Sequence, residues 1–352
     1  MQSFLTTERI DPKKRNVLER IKDFKEIYQI YNEEEAHTQA DRCVQCGDPY
    51  CLNKCPLSNF IPQWLKKTSE KDFELAFKIS NESSPFPEIM GRVCPQDRLC
   101  EGDCTLNEGF GAISIGAIET FITEKGFEKG LKPLFAKEKN GKKVSIIGSG
   151  PASLSTASFL LREGFDVVMY ERQNRAGGLL TYGIPGFKLD KNIVQKRVDF
   201  LKEAGLELIL NCEVGKDISF EDIRKNSDAV FIGIGATKQK SAGLANEDSK
   251  GCFFAMDFLT TMQHKIFGDE IKNNIEIKGK NILIIGGGDT AMDCVRTALR
   301  EGAKSAKVLY RRDEANMPGS KKEVKNAKEE GAEFLFQTIP KSIKTDKDRN
   351  II

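Results

Sequence analysis

Two textures of apolar spacing divide the chain. Up to about residue 140 there is no convincing run of β-branched residues, and Val17, Leu18, Ile21, Phe24, Tyr28 and Tyr31 recur at helical spacing. This part reads as helices joined by cysteine-bearing loops. From Lys142 onward, short apolar runs at 144–147, 167–170 and 230–234 alternate with amphipathic stretches, which is βαβ organisation around a parallel sheet. The same succession of strand, glycine-rich turn and helix returns at Asn281, so two dinucleotide-binding units are expected. Residues 241–250 are polar and turn-rich, 253–267 resume helical spacing, and 272–280 form a polar loop; the switch between the two units falls in this stretch. The expected organisation is α/β: a helical domain over 1–140, then Rossmann-like domains of the disulfide-reductase type over 141–245 and 246–352.

Composition narrows the classes of function. With 352 residues, 39% hydrophobic and 30% charged, the chain can bury real cores. Lys plus Arg total 54 against 52 for Asp plus Glu, and a net charge of +2 provides no field to gather a phosphate backbone, so nucleic acid is not an expected partner. The N-terminus is charged from the start, and no stretch approaches the roughly 18 apolar residues of a membrane span. A cytoplasmic address is expected, with no membrane partner. Of ten cysteines, seven lie between Cys43 and Cys104, which in a reducing compartment points to metal ligation.

Those seven form two groups, Cys43-x2-Cys46-x4-Cys51-x3-Cys55-Pro56 and Cys94-Pro95-x4-Cys100-x3-Cys104. Structural zinc favours paired Cys-x2-Cys knuckles, whereas a Cys-x3-Cys-Pro ending is similar to ferredoxins, so iron–sulfur clusters are favoured over zinc. In two-cluster ferredoxins the cysteine before the proline serves the other cluster, which moves Cys55 toward the second group. Two 4Fe-4S cubanes need eight ligands; seven cysteines leave one place for oxygen, nitrogen or solvent, and a nearby carboxylate is the natural candidate. Cys212, Cys252 and Cys294 stand apart and read as small buried hydrophobes. His37 and His264 have no partner at metal-site spacing and read as surface residues.

The first glycine turn, Gly148-Ser149-Gly150-Pro151-Ala152-Ser153, follows a strand and opens a helix, so its amides can approach a pyrophosphate at the helix N-terminus. Glu171, at the end of the next strand, suits an unphosphorylated ribose, as in FAD or NAD. The second turn, Gly286-Gly287-Gly288-Asp289-Thr290-Ala291, repeats the arrangement, but Tyr310-Arg311-Arg312 replaces the acid. Guanidinium groups there can fork onto a ribose 2′-phosphate, so NADPH is expected. The lysines over 321–328 alternate with Glu323, Glu329 and Glu330 in the manner of an exposed helix.

The segments from Cys43 to Pro56, from Gly91 to Gly102 and at Ile113-Ser114-Ile115-Gly116 resemble the small subunit of glutamate synthase, and the likeness runs through nearly the whole chain. Related electron-input modules occur in dihydropyrimidine dehydrogenase and bifurcating transhydrogenases. The resemblance implies one cluster on Cys43, Cys46, Cys51 and Cys104 and another on Cys55, Cys94, Cys100 and Glu119. The run from Arg172 to Leu179, with Gly177 and Gly178, resembles the family's second flavin-contacting signature, which selects FAD and adds Arg172, Gly178 and Leu179 to its site. Ser153 stands where relatives usually have glycine, at the position that governs how closely helix and strand pack. Tyr182 to Leu189 resembles a family segment near the flavin.

The implied activity is transfer of hydride from NADPH to FAD and of single electrons through two 4Fe-4S clusters to a large subunit, which makes glutamate from glutamine and 2-oxoglutarate; no side chain need act as acid or base. Related readings are the electron-input subunit of a transhydrogenase, sulfide dehydrogenase or pyrimidine reductase, or an inactive cluster-bearing scaffold. Family members continue beyond Ile352 to close the flavin sheet, so the flavin domain is expected to be incomplete, and the charged run at 344–350 reads as an interrupted element.

Overall fold

The computed structural model describes residues 3–271 and 274–352; the expected polar loop at 272–280 opens with Lys272 and Asn273, which lie outside the described residues. The helices are α1 (Val17–Arg20), α2 (Glu33–Asp41), α3 (Tyr50–Lys54), α4 (Ile61–Ser69), α5 (Phe73–Ser83), α6 (Pro87–Val93) and α7 (Ile115–Glu128), then α8 (Pro151–Arg162), α9 (Leu179–Tyr182), α10 (Lys191–Glu203), α11 (Phe220–Lys225), α12 (Ala255–Phe267), α13 (Asp289–Arg300) and α14 (Lys321–Glu329). The strands are β1 (Lys143–Ile147), β2 (Asp166–Tyr170), β3 (Leu206–Ile209), β4 (Ala229–Ile232), β5 (Asn281–Ile285), β6 (Ser305–Leu309) and β7 (Glu333–Leu335). No helix is long and apolar enough to cross a membrane among the described residues.

The helices begin where local chemistry starts them. Asn32 and Glu35 close a reciprocal capping box at α2, each side chain accepting the other's backbone N–H at 2.8–2.9 Å. Asp72 caps α5, and Pro62, Pro87 and Pro151 sit in the first turns of α4, α6 and α8, where a missing N–H costs nothing. On α4 the residues Ile61, Trp64, Leu65 and Thr68 share one buried stripe. That stripe packs with Phe73, Phe77, Ile118 and Ile122 into the helical core. The spacing from Val17 to Tyr31 does not produce one helix. Only α1 forms, because Lys13 and Arg15 turn to pair with the backbone of Ile27 and Gln29, which removes those residues from helical geometry.

The chain packs as two units. The first takes in residues up to Arg15, Glu26–Thr181 and Lys188–Gly235; the second is Asn16–Lys25, Tyr182–Phe187 and Ala236–Ile352. The helical region and the first sheet, read from sequence as separate domains, therefore share a unit. Arg197 of α10 is one reason: wholly buried, it donates to both oxygens of Glu88 on α6 at 2.7 Å. The parallel sheet of this unit has the order β3-β2-β1-β4, with Val144 opposite Val167 and Ala229.

In the second unit a parallel sheet runs β5-β6-β7, with Ile282 opposite Ala306 and Val308 opposite Phe334. One core joins Phe258 and Met262 of α12, Met292 and Val295 of α13, Val324 of α14 and Val308 of the sheet. Helix α14 departs from the exposed-helix reading. Its lysines face out, but Glu323 and the following Glu330 are buried and, with Glu329, receive the guanidinium groups of Arg20, Arg296 and Arg300. Phe187 lies against Arg296 and Arg300, with ring centroid distances of 4.2 and 4.1 Å. The run at 344–350 is folded rather than loose: Lys250 bridges Asn350, and Arg349 pairs with Asp248. Neither histidine is fully exposed; His37 is half-buried, and His264 bonds to Asp269 at 2.9 Å and packs on Tyr182. Of the three isolated cysteines, Cys294 is buried, whereas Cys212 and Cys252 are only partly covered.

Candidate functional site

The first cysteine group is assembled by a buried cation that the sequence did not advertise. Arg42, at the end of α2 and next to Cys43, donates to the carbonyls of Thr7, Ala112, Phe110 and Gly111 at 2.7–3.1 Å. It gathers the N-terminal segment and the 110–112 loop around the cysteine loop. Arg9 reinforces the same corner by bridging Ala112 and Glu101, and Glu101 accepts the backbone N–H of Gly116 at the start of α7. Cys43, Cys46, Cys51 and Cys104 line one cavity, walled by Pro62, Leu65, Leu106, Ile113 and Ile115 and bordered by the half-exposed Tyr50. Burial, reinforced by neighbouring thiols of the same group, pushes the Cys43 thiol up to about 11 and the Cys51 thiol up to about 12.

The second group depends on the crossing of α6 and α7. A Cβ built on Gly91 would lie 2.8 Å from the Gly116 carbonyl oxygen, and one on Gly116 would lie 2.8 Å from that of Gly91, so the two backbones touch where only glycines fit. Gln96 Nε2 donates to the Gly91 carbonyl at 3.0 Å and ties down the loop that carries Cys94 and Cys100. One turn beyond Gly116 comes Glu119, 6% exposed, which excludes an ordinary solvated carboxylate. Burial pushes it up to about 8, against the pull of a 2.8 Å bond from Asn59 Nδ2. Cys94 is pushed up to about 12 by burial, then by Glu119 and Cys55; Cys100 is raised by burial and then by Glu101, Glu119, Cys94 and Cys55. Cys94 and Cys100 therefore feel the charge of Glu119 and Cys55, with Glu101 also acting on Cys100, while Cys43 and Cys51 feel Cys46 and Cys104.

These two sets fit iron–sulfur clusters on their chemistry, being soft thiols in apolar walls with one buried carboxylate. Among the described residues no three His, Cys, Asp or Glu side chains converge on a point suited to a single ion.

At the first glycine turn, Gly148 has φ +89°, and a Cβ there would lie 2.6 Å from the Gly233 carbonyl oxygen. Gly150 caps α8 and a Cβ on it meets nothing within 4 Å, leaving open space in front of the helix N-terminus. Gly178 closes on this turn from the other side: its Cβ would lie 2.8 Å from Gly150 Cα. Pro151 and Ala152 begin the helix, and Arg172 and Leu179 are exposed nearby in sequence. Glu171 is buried and accepts the N–H groups of Ser149 at 2.9 Å and Gln173 at 2.8 Å, so it ties the turn to the end of β2. Ser153 is accommodated by a glycine that sequence reading passed over. A Cβ on Gly233, just after β4, would lie 2.1 Å from Ser153 Oγ, so the small residue needed for close packing is on the strand side.

At the second turn Gly287 lies under the Tyr310 ring, 2.5 Å from where its Cβ would be, and the Tyr310 hydroxyl donates to the Asn316 carbonyl. Gly288 caps α13 and faces open space, as Gly150 does. Asp289 accepts the Ser320 N–H at 2.9 Å, Thr290 is exposed, and Ala291 is the nearest contact, at 3.8 Å, for a Cβ on Gly286. Arg311 and Arg312, just after β6, are exposed.

The family described as dihydropyrimidine dehydrogenase domain II, 4Fe-4S cluster, matches residues 20–131, and that of pyridine nucleotide-disulphide oxidoreductases matches residues 142–351. The NADPH glutamate synthase small chain of Escherichia coli is 47% identical over 97% of this chain and 74% of its own length. The chain belongs to the glutamate synthase small-chain family. The counterpart from Azospirillum brasilense is 45% identical over 98% of this chain and 73% of its own length. Mycobacterium tuberculosis FprA, solved in complex with NADPH, has the same fold over 60% of this chain and 62% of its own, with a TM-score of 0.52 at 19% identity. As a member of the small-chain family the protein is an NADPH-dependent oxidoreductase with an iron–sulfur module, and its role is electron input.

Proposed function

We propose that the chain is the electron-input subunit of a glutamate synthase, drawing hydride from NADPH and delivering single electrons to a large subunit that makes glutamate from glutamine and 2-oxoglutarate. When bound, FAD supplies the exchange between two-electron and one-electron transfer. The observation that supports the reading is the single cavity lined by Cys43, Cys46, Cys51 and Cys104, together with the burial of Glu119 beside the α6–α7 crossing in the helical region.

In this reading Cys43, Cys46, Cys51 and Cys104 hold one 4Fe-4S cluster and Cys55, Cys94, Cys100 and Glu119 hold the other. Gly148 and Gly150 leave room for the flavin pyrophosphate, and Pro151, Ala152 and Ser153 start the helix behind it. Glu171 keeps lone pairs for the ribose beyond those given to Ser149 and Gln173. Arg172, Gly178 and Leu179 belong to the flavin edge. Gly286, Gly288, Asp289, Thr290 and Ala291 receive the NADPH pyrophosphate, and Arg311 and Arg312 read its 2′-phosphate. The apolar walls keep water from the cluster ligands, and no side chain moves a proton. A reducing cytoplasm suits ten free cysteines.

Anaerobic purification with iron and sulfide analysis, followed by NADPH titration at visible wavelengths, tests this. Iron and sulfide for two cubanes, bleaching of flavin bands before cluster absorption, and restoration of NADPH-driven glutamate formation by the added large subunit are expected. Zinc in place of iron, or reduction of flavin without reduction of clusters, refutes it.

A further inference from the structure

We propose that Asn59 is a positioning residue for the carboxylate-ligated cluster, presenting Glu119 through a single oxygen and setting that cluster's potential. This rests on Glu119 being a ligand. Asn59 is 5% exposed and lies just before α4, and Trp64 on that helix is wholly buried. Trp64 Nε1 donates to Asn59 Oδ1 at 3.2 Å, and Asn59 Nδ2 donates to Glu119 Oε1 at 2.8 Å. An indole nitrogen can only donate, so the amide must turn its oxygen toward Trp64 and its NH2 toward Glu119. The orientation of Asn59 is thus imposed by chemistry rather than chosen between two equivalent amide placements.

With Oε1 taken by Asn59, Glu119 would keep Oε2 for a cluster iron. A hydrogen bond to a ligand withdraws electron density from the metal, which stabilises the reduced state and raises the potential, and such outer partners also fix ligand orientation. Trp64 acts one step further out by holding Asn59.

The test uses the anaerobically purified full chain with its clusters, comparing Asn59→Leu, the isosteric Asn59→Asp, Trp64→Phe and Glu119→Ala. Readouts are the electron paramagnetic resonance spectrum of the reduced clusters, their midpoint potentials and the rate of iron loss to a chelator. In both Asn59 variants one cluster signal is expected to change and titrate at lower potential, with iron loss from it accelerated about 10- to 100-fold, while the other cluster is unchanged. Trp64→Phe moves the same signal in the same direction by less. Unaltered signals and potentials in Asn59→Leu overturn the proposal; if that variant does not accumulate, unaltered potentials in Trp64→Phe do so. Glu119→Ala separates the two levels. If it leaves both signals intact, the ligand reading fails and the proposal with it, whereas a changed signal there beside unchanged Asn59 variants removes only the role of Asn59.

Discussion

The two glycine turns are built from the same strand, turn and helix, yet they sit in different surroundings. At the first, β1 is covered along nearly its whole length, and the residue that ends the next strand, Glu171, is buried and bonded back to the turn. At the second, β5 alternates, with Leu283 at 55% and Ile285 at 48% exposure, and the corresponding Arg311 and Arg312 project into solvent. Both turns leave open space before the helix they start, at Gly150 and at Gly288, and in the proposed reading the residue after the second strand decides which ribose is accepted. A carboxylate can be preorganised by backbone N–H groups, as Glu171 is, whereas in the proposed reading Arg311 and Arg312 would meet a 2′-phosphate from exposed positions. The second unit instead keeps its rigidity deeper, where Arg20, Arg296 and Arg300 surround Glu330.

Breaking that buried cluster has the largest expected effect. Glu330→Gln leaves three guanidinium groups short of charge, and about 3–5 kcal/mol of stability should be lost, seen as early melting of the second unit in scanning calorimetry with the cluster absorption retained. The same carboxyl predicts acid lability. Burial alone would raise it, but the bonds from Arg300 and Arg296 hold it at about 2, below its unfolded value of 4.5. Its contribution is therefore complete above pH 4.5 and is lost as the pH falls toward 2, which unfolding curves taken across that window would show and Glu330→Gln would abolish.

Gly148→Ala comes next. The positive φ and the Gly233 carbonyl together make a side chain unwelcome, so about 1–3 kcal/mol should be lost along with flavin binding. By contrast Gly288→Ala, whose Cβ enters open space, should melt normally while raising the KM for NADPH. The double change Arg311→Ala with Arg312→Ala should lower kcat/KM for NADPH roughly 10- to 100-fold by removing charge-assisted bonds, with NADH little affected; equal losses with both nucleotides would remove the 2′-phosphate reading. The smallest effect concerns Ser153 and Gly233. Gly233→Ala should destabilise the first unit by about 1–3 kcal/mol through overpacking, and adding Ser153→Gly should recover most of it, which a double-mutant cycle by thermal melting would measure.

The particular successes and failures of sequence reading follow the range of the interactions involved. The α/β class and the two glycine turns were legible because a strand period, a turn and a helix start are written within a dozen residues. The two cysteine groups, Cys43 to Cys55 and Cys94 to Cys104, were legible as such because their spacing is local. The helical spacing of Val17 to Tyr31 misled, since Lys13 and Arg15 found partners at Gln29 and Ile27 and pairing overrode periodicity. Glu323 and Glu330 misled because a carboxylate in a lysine-rich helix looks solvated until the arginines that bury it are known.

Arg42, Asn59 and Gly233 carried no signal at all: an arginine beside a cysteine, an asparagine in a loop and a glycine after a strand are common, and each matters through a residue far along the chain, Phe110 for Arg42, Glu119 for Asn59 and Ser153 for Gly233. The sequence by itself determined the class of fold, the two nucleotide turns and the thiols available for metal, all of which rest on contacts between near neighbours in the chain. Only the tertiary structure decided which cysteines line one cavity, that Glu119 is buried, and which charges lie in the interior, because burial and the pairing it enforces depend on segments that meet only when the chain has folded.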